Sequence, residues 1–254
     1  MFSDCLEFFL KKISEGDISS AALAFQEEFQ DEYQKNIAHN LKIICHSQII
    51  RQRQSKLNGL KLIKESGFVP GLVLDVGAQI GTPELYEVFP EAHHLFIEPV
   101  AEWIPALENI AKALNSAEVI NCGVSDFDGI TSLNVSPTRQ YASIAPGCNM
   151  LGSEDREIQV MTVDTIVKKF DLSQPLLLKI DVDGLELKVL DGAHSVLKNN
   201  SVVIIEATLY ADGDSRINSI VEYLNDFNFK VCDIVDHLYH ENSNLWQVDL
   251  ILRK

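Results

Sequence analysis

Two glycines four residues apart, Gly77 and Gly81, stand directly behind the short apolar run Leu72–Val76, which only Asp75 interrupts. Such a run reads as a strand buried on both faces of a parallel sheet. Pro83 follows Thr82, and a proline at the first helical position loses no hydrogen bond, so a helix is expected to begin there with Thr82 as its cap. Strand, glycine loop and helix start together form a cradle for a nucleotide-type cofactor, because glycine lets a ligand approach backbone that a Cβ would shield. The expected contacts are Asp75, Gly77, Ala78, Gln79 and Gly81. A pyrophosphate seat would need a third glycine at position 79, where Gln stands. An ordinary turn with packing glycines is the plain alternative.

Further residues with chemistry lie at the ends of predicted strands. Glu98-Pro99 closes the run His94–Ile97, 17 residues past Gly81. An acid at that point can accept hydrogen bonds from both hydroxyls of a ribose. Asp126 follows a third predicted strand, Ala117–Val124, and either accepts from an adenine amino group or only shapes the turn Ser125–Gly129. Leu176–Val182 is apolar except for Lys179 and Asp181, and alternation puts Lys179, Asp181 and Asp183 on one face. A buried lysine needs a partner, so Lys179 is expected to pair with a neighbouring acid. Asp181 sits where open α/β sheets bind ligands, as a catalytic group or as the cap of the next helix. His237 and His240 follow the predicted strand Lys230–Ile234 and offer a second choice of base, or are exposed loop histidines. Asp181, Asp183 and Glu206 could hold a divalent ion, although no metal is expected.

The elements that must position these residues alternate as strand and helix, which predicts a doubly wound parallel sheet. Predicted strands are Leu72–Val76, His94–Ile97, Ala117–Val124, Ile130–Val135, Ile158–Val163, Leu176–Val182 and Val202–Ala207; helices are Pro83–Phe89, Trp103–Leu114, Gly184 to Leu197, and Arg216–Phe227. The last two strands, Lys230–Ile234 and Leu245–Leu252, have no helix between them, so they must pair antiparallel or lie apart. The polar segment Ser136–Asp155 is long enough to be a binding loop. Residues 1–67 read as a helical extension and 68–254 as the α/β domain, with helices over 4–15, 18–57 and Leu57–Glu65. Phe25, Phe29, Tyr33, Ile37, Leu41 and Ile44 make one apolar helical stripe, suited to core packing, a lid or a homodimer interface.

Charge and composition narrow the partners. Residues 1–70 hold equal numbers of acids and bases, so the whole net charge of −16 falls on 71–254. That balance argues against a nucleic-acid substrate, which needs a basic track. No apolar run reaches the length of a membrane span, and the mixed charge near the N-terminus does not read as a signal peptide. Five scattered cysteines without a C-x-x-C pair suit reduced thiols in the cytoplasm, and neither a disulfide frame nor a zinc site.

The stretch Leu176–Ala193, with Lys179-Ile-Asp181-Val-Asp183-Gly184-Leu-Glu186 and then Val189-Leu-Asp-Gly192-Ala193, resembles the signature of the FkbM family of methyltransferases. Val73–Gly81 resembles that family's first motif, Phe96–Pro99 its Phe-x-Glu-Pro, Val160–Asp164 its Thr-Leu-Asp segment, and Val203–Glu206 its Ile-Glu strand. The resemblance covers about residues 57–254. Asp183 stands in place of the usual Glu, and Val163 in place of the usual Leu.

The resemblance implies a seven-stranded, class I methyltransferase-like sheet with one late antiparallel strand. It also implies S-adenosyl-L-methionine (SAM) as cofactor and S-adenosyl-L-homocysteine (SAH) as product. The implied reaction is O-methylation of a sugar, glycan or natural-product hydroxyl, with Asp181 beside the methionine part of SAM and the acceptor. Two readings compete: an NAD(P)-binding oxidoreductase, disfavoured by Gln79 and the terminal strand pair, and a non-catalytic SAM-fold protein binding a partner through its N-terminal helices.

Overall fold

Strand β1 (Leu72–Val76) is buried along its whole length. In the computed structural model it pairs in parallel with β2 (His93–Ile97) on one side and β8 (Leu176–Ile180) on the other. Parallel pairing continues outward to β3 (Ala117–Ile120) beyond β2 and to β9 (Ser201–Thr208) beyond β8. β11 (Leu245–Arg253) lies antiparallel to both β9 and β10 (Lys230–Tyr239). The sheet thus has seven strands in the order β10-β11-β9-β8-β1-β2-β3. The terminal hairpin is antiparallel because its connection has no room for a crossover.

The structure describes residues 2–15, 17, 20, 21, 24, 35, 38, 39, 41, 55–139, 141–144, 152–199, 201–209, 216–239 and 244–254. Most of the predicted helix 18–57, including Phe25, Phe29, Tyr33, Ile37 and Ile44 of the apolar stripe, lies outside them, as does His240. The chain divides into two compact units, Met1–Asn58 and Gly59–Lys254. In the first, a helix over Phe2–Ser14 buries Phe9 with Ala21 and Ala38. No helix among the described residues is long and apolar enough to cross a membrane.

Alternation along the strands sorts the large sheet into two faces. Leu72, Leu74, Leu176, Leu178, Val203 and Ile205 point to one face, packed against Val189 and Leu190, Val196 and Leu197, and Ile220 and Leu224 of the helices that follow β8 and β9. The opposite face carries Phe96, packed on Ala78 and on Leu107 of the helix Ile104–Ala113. Burying a leucine fully contributes roughly 1.5–3 kcal/mol, so these two layers hold the sheet rigid beneath whatever binds at its ends.

Three of the differences from expectation bear on the site. The third strand stops at Ile120, and Gly123–Val124 forms β4 of a separate four-stranded sheet with β5 (Gly129–Val135), β6 (Ala142–Ser143) and β7 (Glu154–Met161), in the order β4-β7-β5-β6. The helix expected through Leu197 is two short helices, Glu186–Asp191 and His194–Lys198, parted at Gly192. A Cβ on Gly192 would lie 2.3 Å from the Ser125 carbonyl oxygen, so the chain breaks where the small sheet's loop packs against it. The last strand pair is longer than predicted, and β10 runs on to Tyr239.

Candidate active site

A cavity of about 570 Å³ opens at the carboxyl ends of β1, β2, β8 and β9. That volume suits a ligand of cofactor size. The chain winds to β2 and β3 on one side of β1 and to β8 and β9 on the other, so the cavity lies at the switch point of the sheet.

The glycine loop forms one wall. Gly77 has φ +74, and a Cβ there would lie 1.9 Å from the Asp181 carbonyl oxygen. The Asp181 N–H donates to the Val76 carbonyl at 3.0 Å, so the ends of β1 and β8 are held edge to edge. Gln79 is also left-handed, φ 44, without being glycine. Its N–H donates to Glu98 Oε2 at 2.8 Å, and the Val100 N–H donates to Glu98 Oε1 at 2.8 Å. Glu98 is 3% exposed. Burial raises its pKa, and the two N–H groups pull the other way. Each carboxylate oxygen has further lone-pair capacity, so Glu98 is a fixed acceptor in the cavity wall, able to take two hydroxyls.

Asp75 lies beneath the loop and does not line the cavity. Its Oδ2 accepts from the Thr82 N–H at 3.1 Å, and its Oδ1 is 3.0 Å from Lys179 Nζ. Thr82 is the N-cap residue of the helix Pro83–Val88, but its side chain makes no capping bond. It is the buried acid, through the Thr82 N–H, that shapes the turn.

Lys179 ties the two motifs together. Nζ contacts Asp75 Oδ1 and Asp181 Oδ2 at 3.0 Å each, and donates to the Gly77 carbonyl at 3.3 Å. Burial alone would lower its pKa, but the charges of Asp75 and Asp181 outweigh that and raise it. Lys179 therefore stays charged inside the protein. Asp181, Asp183 and Glu206 line the cavity beside it. Burial, then the Asp181 charge, raises the Asp183 pKa, with Arg216 opposing. A Cβ on Gly184, φ +83, would meet the Arg216 guanidinium at 3.0 Å, which keeps that loop tight.

Gly77, Ala78, Gln79, Gly81, Glu98, Pro99 and Asp181 thus share one cavity. Besides Asp75, two described candidates do not join them. Asp126 hangs beyond β4, where Ser125 Oγ donates to it at 2.9 Å and Lys188 Nζ pairs with it at 3.2 Å. With the third strand ending earlier, the residue that follows it is Asn121, whose side-chain amide donates to the Glu98 and Pro99 carbonyls at 2.8 and 3.1 Å. His237 is not in a loop but within β10, at a bulge between Val235 and Leu238 where Asp236 has φ 48. Its neighbour Leu238 lines the cavity, and His237 does not.

The remaining wall was not visible in local motifs. Leu238, Trp246 and Gln247 come from the terminal hairpin, and Arg139 and Tyr141 from the polar segment before β6. Arg139 has φ 65, and its carbonyl accepts from Trp103 Nε1 at 3.0 Å. Its Nε donates to Glu102 at 2.9 Å, and Arg156 grips the same carboxylate through both terminal nitrogens at 2.6 Å. The Arg156 bonds hold Glu102 down to about 2 despite some burial. This network ties the segment after Glu98 to the small sheet. Cys122, another wall residue, has its thiol pushed up to about 12 by burial, which leaves it unreactive. Among the described residues no group of three or more His, Cys, Asp or Glu is arranged to hold a metal ion.

Comparison with known proteins matches residues 75–231 to the methyltransferase FkbM domain. The hexuronic acid methyltransferase AglP of Haloferax volcanii is 27% identical over 159 residues, which is 62% of this chain and 64% of that protein. The match therefore spans less than two thirds of the relative's length. Similar solved structures include 1,6-didemethyltoxoflavin-N1-methyltransferase from Burkholderia thailandensis, with SAH bound (TM-score 0.42, 13% identity, 90% of this chain and 92% of that one). Another is precorrin-6y C5,15-methyltransferase from Geobacter metallireducens (TM-score 0.43, 12% identity, 77% and 86%). The FkbM match runs from Asp75 of β1 through the glycine loop and Glu206 into β10, over more than half of the sequence, and the chain belongs to the FkbM methyltransferase family.

Proposed function

We propose that this protein transfers a methyl group from SAM to a hydroxyl of a sugar or glycan acceptor. The observation that carries the reading is Glu98, a buried carboxylate clamped by two backbone N–H groups at the end of β2 and facing a cavity bounded by Gly77 and Gly81. Glu98 would accept from the ribose hydroxyls, and the backbone of Gly77–Gly81 would flank the nucleoside. Without a glycine at 79, the loop offers no seat for a pyrophosphate. Bound SAM supplies a sulfonium methyl already activated for in-line displacement.

The protein's own share is alignment, exclusion of water and removal of the acceptor proton. Asp181, held by Lys179, would orient the groups that meet at the end of β8. The sugar class is supported by the relative that methylates a hexuronic acid. The preference for oxygen is supported by the carboxylates around Asp181, which are acceptors suited to hydroxyl donors. A cytoplasmic location belongs to the same reading.

Ligand-dependent melting tests it. A ligand at 100 times its Kd stabilises by about 2.7 kcal/mol, which for a chain of this size raises Tm by about 5–10 °C. SAM and SAH are expected to give that shift and NAD(H) none. Equal stabilisation by NAD(H) would sink the reading. Turnover is then followed as SAH formation with hexuronic acids and neutral hexosides.

A further inference from the structure

Glu206 is a carboxyl group of the cavity wall with no ion pair among the described residues. It stands one residue past Ile205, which is opposite Ile180 in the parallel ladder, so it lies beside Asp181. On its other side it is opposite Asp249 of β11. Alternation puts Glu206 on the face that carries Lys179 and Ile204. The three acids of this row differ in their partners. Lys179 holds Asp181, and its remaining contacts go to Asp75 and Gly77. Asp249 is 5% exposed and outside the cavity wall. Two positions along β9, Thr208 also faces the cavity, and its buried Oγ1 has no hydrogen-bond partner among the described residues. A buried hydroxyl in that state needs a partner, from ordered water or from a bound group.

We propose that Glu206 is the general base that takes the acceptor's hydroxyl proton, with Thr208 Oγ1 hydrogen-bonding the acceptor and Asp181 serving as its lysine-held neighbour. This assignment rests on the methyltransferase reading above. In the step, the acceptor oxygen bonds to the methyl carbon while the methyl–sulfur bond breaks and leaves its electron pair on sulfur. The hydroxyl proton passes to a Glu206 carboxylate oxygen, and from there to water. The surroundings suit the task. Burial first, then the charges of Asp181 and Asp249, with a smaller part from Asp183, push Glu206 up to about 8, while Lys179 pulls the other way. A base matched to the working pH is both strong enough to take a proton and often empty.

The sign of the pH effect follows. Glu206 acts when ionised, so kcat/KM should rise with pH through about 8 and level off above it. In the ligand-free full-length protein, infrared difference spectra of wild type against Glu206→Gln should show a protonated carboxyl band that disappears through the same pH. Glu206→Gln should keep SAH affinity within about threefold by calorimetry and lose ~10²–10⁴ of turnover. Glu206→Asp should regain part of the rate with a shifted pH profile. Full turnover in Glu206→Gln, or a difference spectrum without a group titrating near that pH, overturns the assignment. A wild-type protein that binds neither SAM nor SAH, yet shows the titrating band, would instead sink the methyltransferase reading.

Discussion

Lys179→Met is expected to lose about 3–5 kcal/mol of folding stability, the cost of removing one member of a buried ion pair. Methionine replaces the apolar stem but not the ammonium. Asp75, 2% exposed, would keep only the Thr82 N–H and face the sheet interior as an uncompensated charge. Asp181 would lose the same cation, but its side chain is 37% exposed, so water offsets most of that loss. The Gly77 carbonyl would lose its lysine donor as well.

Urea unfolding measures the effect as a fall in midpoint at constant slope. The lysine pKa is raised in the fold, so its contribution is complete below the ordinary value of about 10.4 and fades only as pH rises beyond it. The lysine's own titration therefore adds no slope from pH 6 to 9, but Lys179 also pulls Glu206 down, so the gap between wild type and variant should widen as pH rises through about 8. Adding Asp75→Asn to Lys179→Met should recover part of the loss, because the stranded charge is gone. A loss below about 1 kcal/mol would mean that the pair does not hold β1 to β8.

Glu98→Ala is the second large change. It strands the Gln79 and Val100 N–H groups, each at a typical cost of about 1–3 kcal/mol when a buried donor is left unmade. It also removes the acceptor proposed for the ribose. SAH affinity should fall by roughly 10- to 100-fold, the equivalent of losing about one hydrogen bond to a charged group. Glu98→Gln keeps one carbonyl oxygen and should fall between. Calorimetry with SAH reads the affinity and thermal melting the stability. Unchanged affinity in Glu98→Ala would remove Glu98 from the cofactor site while leaving its part in the loop intact.

The residues of this site divide by how far apart their partners lie in sequence. Gly77, Gly81 and Glu98 were readable because a left-handed turn and a strand end each announce themselves within a few residues; Asp75 was readable as the acid inside an apolar run, but it lies beneath the loop and not in the cavity wall. Lys179 was readable as a paired lysine, since no apolar strand tolerates an isolated ammonium. Loop length left the last two strands either antiparallel or apart, and the structure pairs them antiparallel. Asp126 was misplaced because β-propensity marks a strand but does not say which sheet it joins; the chain leaves the large sheet at Ile120 and enters the small one at Gly123. His237 was misplaced for a related reason: β10 extends as far as β11 can pair with it, through a bulge that local sequence does not reveal.

What the sequence by itself determined, then, was the buried parallel strands, the glycine loop and the acid at its edge, because each rests on steric and solvation rules acting over a few residues. The tertiary structure alone decided the row of Asp181, Glu206 and Asp249. Those residues meet only through the register of three strands from distant parts of the chain, and that register is set by the side-chain packing of the whole sheet.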